Sequence, residues 1–133
     1  MKGVGAKLTN GLNIGSSALA SDNSGARIVK IVGLKGMKTK RGRQQYIKLG
    51  DMIKISVRKG DPKMKGEVFD AVVIRQVKPF RRLTGERVAF TDNAVALLKD
   101  EKGNPKGTQI KGPIAKEAAE RYPFLAKIAK FIL

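Results

Sequence analysis

The sequence predicts a mainly β fold built as one domain, on three observations. Met52–Arg58 alternates Ile53, Ile55 and Val57 with Lys54, Ser56 and Arg58, the period-two pattern of a strand with one face in the core. Ala71–Ile74 and Ala94–Leu98 are unbroken apolar runs of four and five residues, long enough for buried strands and too short for helices. Only beyond Thr108 does the apolar spacing lengthen to four, at Ile114, Ala118 and Tyr122, so helix is confined to the C-terminal end.

From the N-terminus, Met1 to Asn13 scatters single apolar residues among Gly, Lys and Asn and is expected to be an irregular arm. Gly15–Ser21 carries Ala18 and Leu19 in a short strand, closed by the turn signal Ser21-Asp22-Asn23-Ser24-Gly25. Ala26–Leu34 sets Ile28, Val29, Ile31 and Val32 around Arg27 and Lys30 and reads as a strand. Lys35–Lys48 then holds six basic residues and no acid, between two strands. A structureless loop of that length usually has a role, and contact with RNA or DNA fits it better than a merely solvated loop. Tyr46 either stacks on a base there or anchors the base of the loop.

After the turn Gly50-Asp51 and the strand Met52–Arg58, Lys59-Gly60-Asp61-Pro62 turns the chain towards Ala71–Ile74. That run continues into Arg75, Lys78, Arg81 and Arg82, and a turn at Thr84-Gly85 returns it through Arg87–Phe90, giving a basic hairpin. Neighbouring residues of a strand face opposite sides, so the guanidinium groups of Arg81 and Arg82 are expected to diverge. Asp92-Asn93 turns into Ala94–Leu98, and Lys99–Pro105 is a polar hairpin tip. Gly112-Pro113 has the form of a helix start, Pro123 ends that helix and begins another, and Phe124, Leu125 and Ile128 lead an apolar stripe to Phe131-Ile132-Leu133.

Charge narrows the function. In 133 residues, 28 Lys and Arg face 11 Asp and Glu, a formal net charge of +17. Such an excess repels itself in a compact state and implies a polyanionic partner. It is uneven: residues 1–50 carry +9, residues 51–91 carry +5 and residues 92–133 carry +3, so the C-terminal third is expected to do something other than bind phosphate. With no Cys and no His, disulfides, thiolate metal sites and the commonest general bases are absent. Asp51, Asp61, Asp92 and Glu67 could in principle gather two metals for a nuclease, but the three aspartates sit beside turn residues, where Asp caps. The longest apolar run has five residues, and no membrane span or signal segment is expected.

Together these segments resemble the universal ribosomal protein L-fourteen family. The resemblance rests on Asp22-Asn23-Ser24-Gly25-Ala26-Arg27, Gly50-Asp51, Ser56-Val57-Arg58-Lys59-Gly60, Ala71-Val72-Val73-Ile74-Arg75 and Phe80-Arg81-Arg82. It continues with Gly85, Arg87-Val88, Phe90, Asp92-Asn93-Ala94, Gly107-Thr108 and Gly112-Pro113-Ile114-Ala115-Lys116-Glu117. All run in the family's order over about residues 15 to 122, and the arm before Gly15 looks like the archaeal and eukaryotic branch.

The resemblance implies a five-stranded OB-like β-barrel with a protruding β-ribbon and two short C-terminal α-helices. The expected division is an arm over 1–14, a barrel over 15–110 with a basic loop at 35–48 and a hairpin at 78–90, and a helical segment over 111–133. It further implies a non-catalytic, cytoplasmic ribosomal constituent without cofactor or small-molecule substrate. The implied partners are large-subunit rRNA, proteins of the L-three and L-nineteen or L-twenty-four-e families, small-subunit rRNA through bridges, and the anti-association initiation factor six. Residues expected at RNA are Lys35, Lys38, Lys40, Arg41, Arg43, Arg58, Lys59, Arg75, Lys78, Arg81, Arg82 and Arg87. Thr108, Lys111, Ile114, Lys116, Tyr122 and Phe124 are expected to face proteins or the small subunit. An OB-like chromatin or single-strand-binding protein is the runner-up, disfavoured by only seven aromatic residues, most of them in apolar company.

Overall fold

The computed structural model describes residue 3 and residues 6–36, 41–42 and 45–133. In chain order its elements are β1 (Ala6–Lys7), β2 (Leu12–Asn13), β3 (Ser17–Ala20), β4 (Ala26–Leu34), β5 (Tyr46–Ile47), β6 (Met52–Gly60) and β7 (Val68–Arg75). These are followed by β8 (Phe80–Arg82), β9 (Arg87–Val88), β10 (Ala94–Leu98), β11 (Ile110–Ile114), α1 (Lys116–Arg121), α2 (Pro123–Ile128) and β12 (Ala129–Ile132). No helix among the described residues is long and apolar enough to cross a membrane.

Five strands close a barrel in the order β10-β3-β4-β6-β7, as the family resemblance implied. All pairings are antiparallel except β10 with β3, a parallel seam of two residue pairs, Ala94 with Leu19 and Val95 with Ala20. Strands β4 and β6 are nine residues long and shift register three times along their pairing. Bulges of this kind bend long strands enough to close a small barrel.

The inside of the barrel is filled by Val29, Ile31, Ile53, Ile55, Val57, Ala71, Val73, Val95 and Leu97. The alternate residues of β7 and β10, namely Val72, Ile74, Ala94, Ala96 and Leu98, point outward into a second core with Ile110, Ile114, Ala118, Tyr122 and Leu125. Two strands carry unbroken apolar runs because each is covered on both faces, by the barrel lumen on one and the C-terminal cap on the other. A third, smaller core joins Leu49, Phe80 and Ala115, with Ala6, Leu8, Val88 and Phe90 against it.

Three local expectations are corrected. The N-terminal arm is not irregular: β1 joins the ribbon strand β8, and β2 pairs with β5. Buried Gln76 ties the arm in, donating from Nε2 to the carbonyl and hydroxyl of Thr9 and to the Lys78 carbonyl, while its Oε1 accepts from Leu49 N–H. Gly112-Pro113 does not start a helix; it lies within β11, and α1 begins at Lys116. Phe131-Ile132-Leu133 does not continue a helical stripe either. Ala129 turns extended at φ −79° and ψ 136°, and β12 runs parallel to β11.

Candidate nucleic-acid interface

The ribbon shows how period-two geometry sorts its arginines. Strands β8 and β9 pair antiparallel, joined by a turn in which Gly85 N–H donates to the Arg82 carbonyl at 2.9 Å and Gly85 takes φ 94°. That left-handed conformation favours glycine, as the Thr84-Gly85 signal implied. Phe80, Arg82, Val88 and Ala6 share the face turned to the body, with Phe80 fully buried. Arg82 on this face donates from Nε to Glu117 at 2.8 Å and from Nη2 to the Leu133 carbonyl at 2.6 Å, fastening the ribbon to α1 and the end of β12.

The outer face is different. Lys7 lies opposite Arg81, and Arg81 opposite Arg87, so three exposed cations form one row across three strands. None of the three has an ion-pair partner among the described residues. Like charges directly opposite one another destabilise a sheet. Folding alone gives no reason for the row.

Arg75 is the clearest correction to the expected RNA set. It is 7% exposed, and its guanidinium is saturated. Nε donates to Asp92 at 2.8 Å, Nη1 to the carbonyls of Lys111 and Pro113 at 3.0 and 2.9 Å, and Nη2 to Ser21 Oγ and Asp92 Oδ2. Gly112, at φ 75°, is part of this socket: a Cβ there would stand 2.6 Å from Arg75 Nη1. The Gly-Pro pair that reads as a helix start thus receives an arginine from β7.

Other expected contacts divide by whether an acid already engages them. Lys35 bridges Asp70 at 3.0 Å and Glu101 at 2.7 Å. Its desolvation is outweighed by these hydrogen bonds, and its pKa is raised above 10.5. Asp70 is partly desolvated too, but hydrogen bonds from Lys35 and Lys54 prevail and hold its carboxyl below 3.8. Arg41, Arg58, Lys59, Lys78, Arg81 and Arg87 are exposed and carry no ion pair among the described residues, Lys78 reaching only the Asn10 carbonyl at 3.3 Å. Lys38, Lys40 and Arg43 lie outside the described residues.

Six of the 11 carboxylates form ion pairs with described residues: Asp51, Asp70, Asp92, Glu101, Glu117 and Glu120. Asp22, a seventh, is buried and accepts from Ser24 and from Leu97 N–H. The acids thus serve the fold, and much of the basic excess is left on the outside. Among the described residues no group of three or more acidic side chains is placed to hold a metal ion.

Of the residues expected to face partners, Thr108, Lys111, Lys116 and Phe124 are exposed. Ile114 and Tyr122 are not; they are 0% and 6% exposed, because the outward faces of β7 and β10 need an apolar cover and these side chains supply it. Phe131, Ile132 and Leu133 are exposed apolar residues of the C-terminal end, as Phe124 is. Sequence reasoning missed Lys7, although its alternation with Ala6 and Leu8 is a strand signal too short to stand alone.

The family model for ribosomal protein L14p/L23e matches residues 11–133. Over 133 residues, covering all of both chains, the sequence is 50% identical to the large ribosomal subunit protein uL14 of Nanoarchaeum equitans. It is likewise 46% identical to the proteins of that name from Methanocorpusculum labreanum and Halobacterium salinarum, again over the full length of each.

Proposed function

The chain belongs to the ribosomal protein L14p/L23e family, a structural and non-enzymatic class, and we propose that it binds large-subunit rRNA through the outer faces of its ribbon and barrel. The observation that carries this reading is the row Lys7, Arg81 and Arg87. Three unneutralised cations held side by side on a short sheet cost stability in the free protein and match a phosphate backbone or the wide minor groove of an RNA helix. Arg58 and Lys59 at the end of β6, with Lys78 and Arg41, extend the cationic surface. Contacts to phosphate position a protein without reading sequence, as suits a structural constituent whose RNA partner is fixed by assembly.

With about six phosphate contacts, log affinity should fall against log salt with a slope of about −4 to −6. Titration of the full chain onto protein-free large-subunit rRNA at several salt concentrations measures it. A slope near zero overturns the phosphate model.

The less charged C-terminal face, with Thr108, Lys111, Lys116 and Phe124 exposed, is proposed to meet neighbouring ribosomal proteins or the small subunit, including the bridges between subunits. Charge reversal at Lys111 and Lys116 should loosen subunit association in sedimentation while leaving rRNA affinity nearly intact. Equal loss of both refutes the division of labour.

A further inference from the structure

At the seam of the barrel the ladder is short, two residue pairs between β10 and β3. Strand β10 begins at Ala94 opposite Leu19, so Ser17 and Ala18, paired with β4 on one side, have no strand on the other, where the chain turns instead through Asp92 and Asn93. The result is a groove of about 230 Å³ lined by Ser17, Ala18, Leu19, Ile28, Asp92 and Asn93. Its walls are apolar where the surrounding wall is basic: Leu19 is 44% exposed and faces Ile28 across the ladder.

We propose that this groove seats one unpaired nucleobase of the rRNA, an inference that rests on the RNA-binding reading above. Leu19 and Ile28 offer an apolar surface to the face of a base, and Asn93 and Ser17 offer polar groups to its edge. Asn93 Oδ1 accepts from Val77 N–H at 2.9 Å, which leaves its amide N–H groups without a partner among the described residues and able to donate. Asp92 adds an acceptor at the rim, and its charge is already balanced by Arg75, so it does not repel a nucleotide as a free carboxylate would. Phosphates on either side meet lysines. Lys30 stands opposite Ser17 and Lys59 opposite Ile28, both exposed and without ion pairs among the described residues. An apolar slot with a polar edge, flanked by cations, complements a nucleotide splayed out of a loop or bulge.

The test compares the full chain with two variants on protein-free large-subunit rRNA, probed with base-specific alkylating reagents. Leu19→Ser removes the exposed apolar wall. Asn93→Ala removes the donor without adding charge, and Val77 N–H, at an exposed position, turns to water instead. The wild type should protect a base in an unpaired segment, and both variants should restore its reactivity, with affinity about five- to tenfold weaker and an unchanged salt slope. Thermal melts that match the wild type exclude misfolding. Protection that persists in both variants, or a wild type that binds the rRNA and protects no unpaired base, overturns the base site while the RNA-binding reading stands. If the wild type binds no rRNA, that reading fails and takes this one with it.

Discussion

The outer face of the ribbon and the junction beneath it use the same residue type in opposite ways. At the junction, Arg75 and Arg82 are turned inward, each on a carboxylate and on backbone carbonyls, and they join β7 and β8 to the C-terminal cap. On the outer face Lys7, Arg81 and Arg87 stand in a row with no ion-pair partner among the described residues. Arg81 and Arg82 are chain neighbours on opposite sides of this divide. An arginine's role here is set by which face its strand position gives it and by whether an acid has been placed to meet it.

Removing Arg75 should have the largest effect. Arg75→Met leaves Asp92 and the carbonyls of Lys111 and Pro113 without their donors, and breaking a largely buried pair costs about 3 kcal/mol. Urea unfolding measures this; a variant as stable as wild type but weaker on RNA would move Arg75 to the outer group. Next, Arg82→Ala strands Glu117, whose side chain is 5% exposed, and should cost about 2 kcal/mol by the same measurement. The double change Arg81→Gln with Arg87→Gln should leave stability unchanged or raised by a few tenths of a kcal/mol as repulsion is relieved, while the salt slope on rRNA becomes shallower by about 2. Stability lost in that double variant would erase the distinction between the faces.

The smallest effect is in acid. Asp70 is held below its ordinary 3.8, so its contribution is complete above that value and is lost as pH falls through the lowered one. Asp51 is shifted up, by burial that outweighs the Lys48 N–H and Arg121, so its protonation favours the fold over the same descent and offsets part of the loss. Asp70→Asn should therefore flatten the acid limb of a stability profile, and Asp51→Asn should steepen it.

The barrel strands were legible because period-two alternation survives wherever one face meets the core and the other meets water, as in Met52–Arg58. The apolar runs at Ala71–Ile74 and Ala94–Leu98 marked burial but not what lay on the second face, and for that reason Ile114 and Tyr122 looked free for a partner. Arg75 was misread because its acid, Asp92, lies 17 positions away and its other partners lie across the fold in β11 and at Ser21. Such pairings leave no local period. Lys7 escaped for a related reason: a two-residue strand exists only because the edge of β8 is there to receive it.

The parallel seam also bears on the order of folding. Leu19 and Ala94 are partners across 75 positions, and their pairing is only two residues long. Closing so long a loop carries a large entropy for little ladder in return, whereas β4, β6 and β7 pair with near neighbours through long registers. On a growing chain β3 must wait for β10, so the cylinder starts as a curled sheet and shuts last at its weakest line. Amide exchange at Leu19 and Ser21, whose N–H groups cross that line to Asn93 and Val95, should report the first place where it reopens.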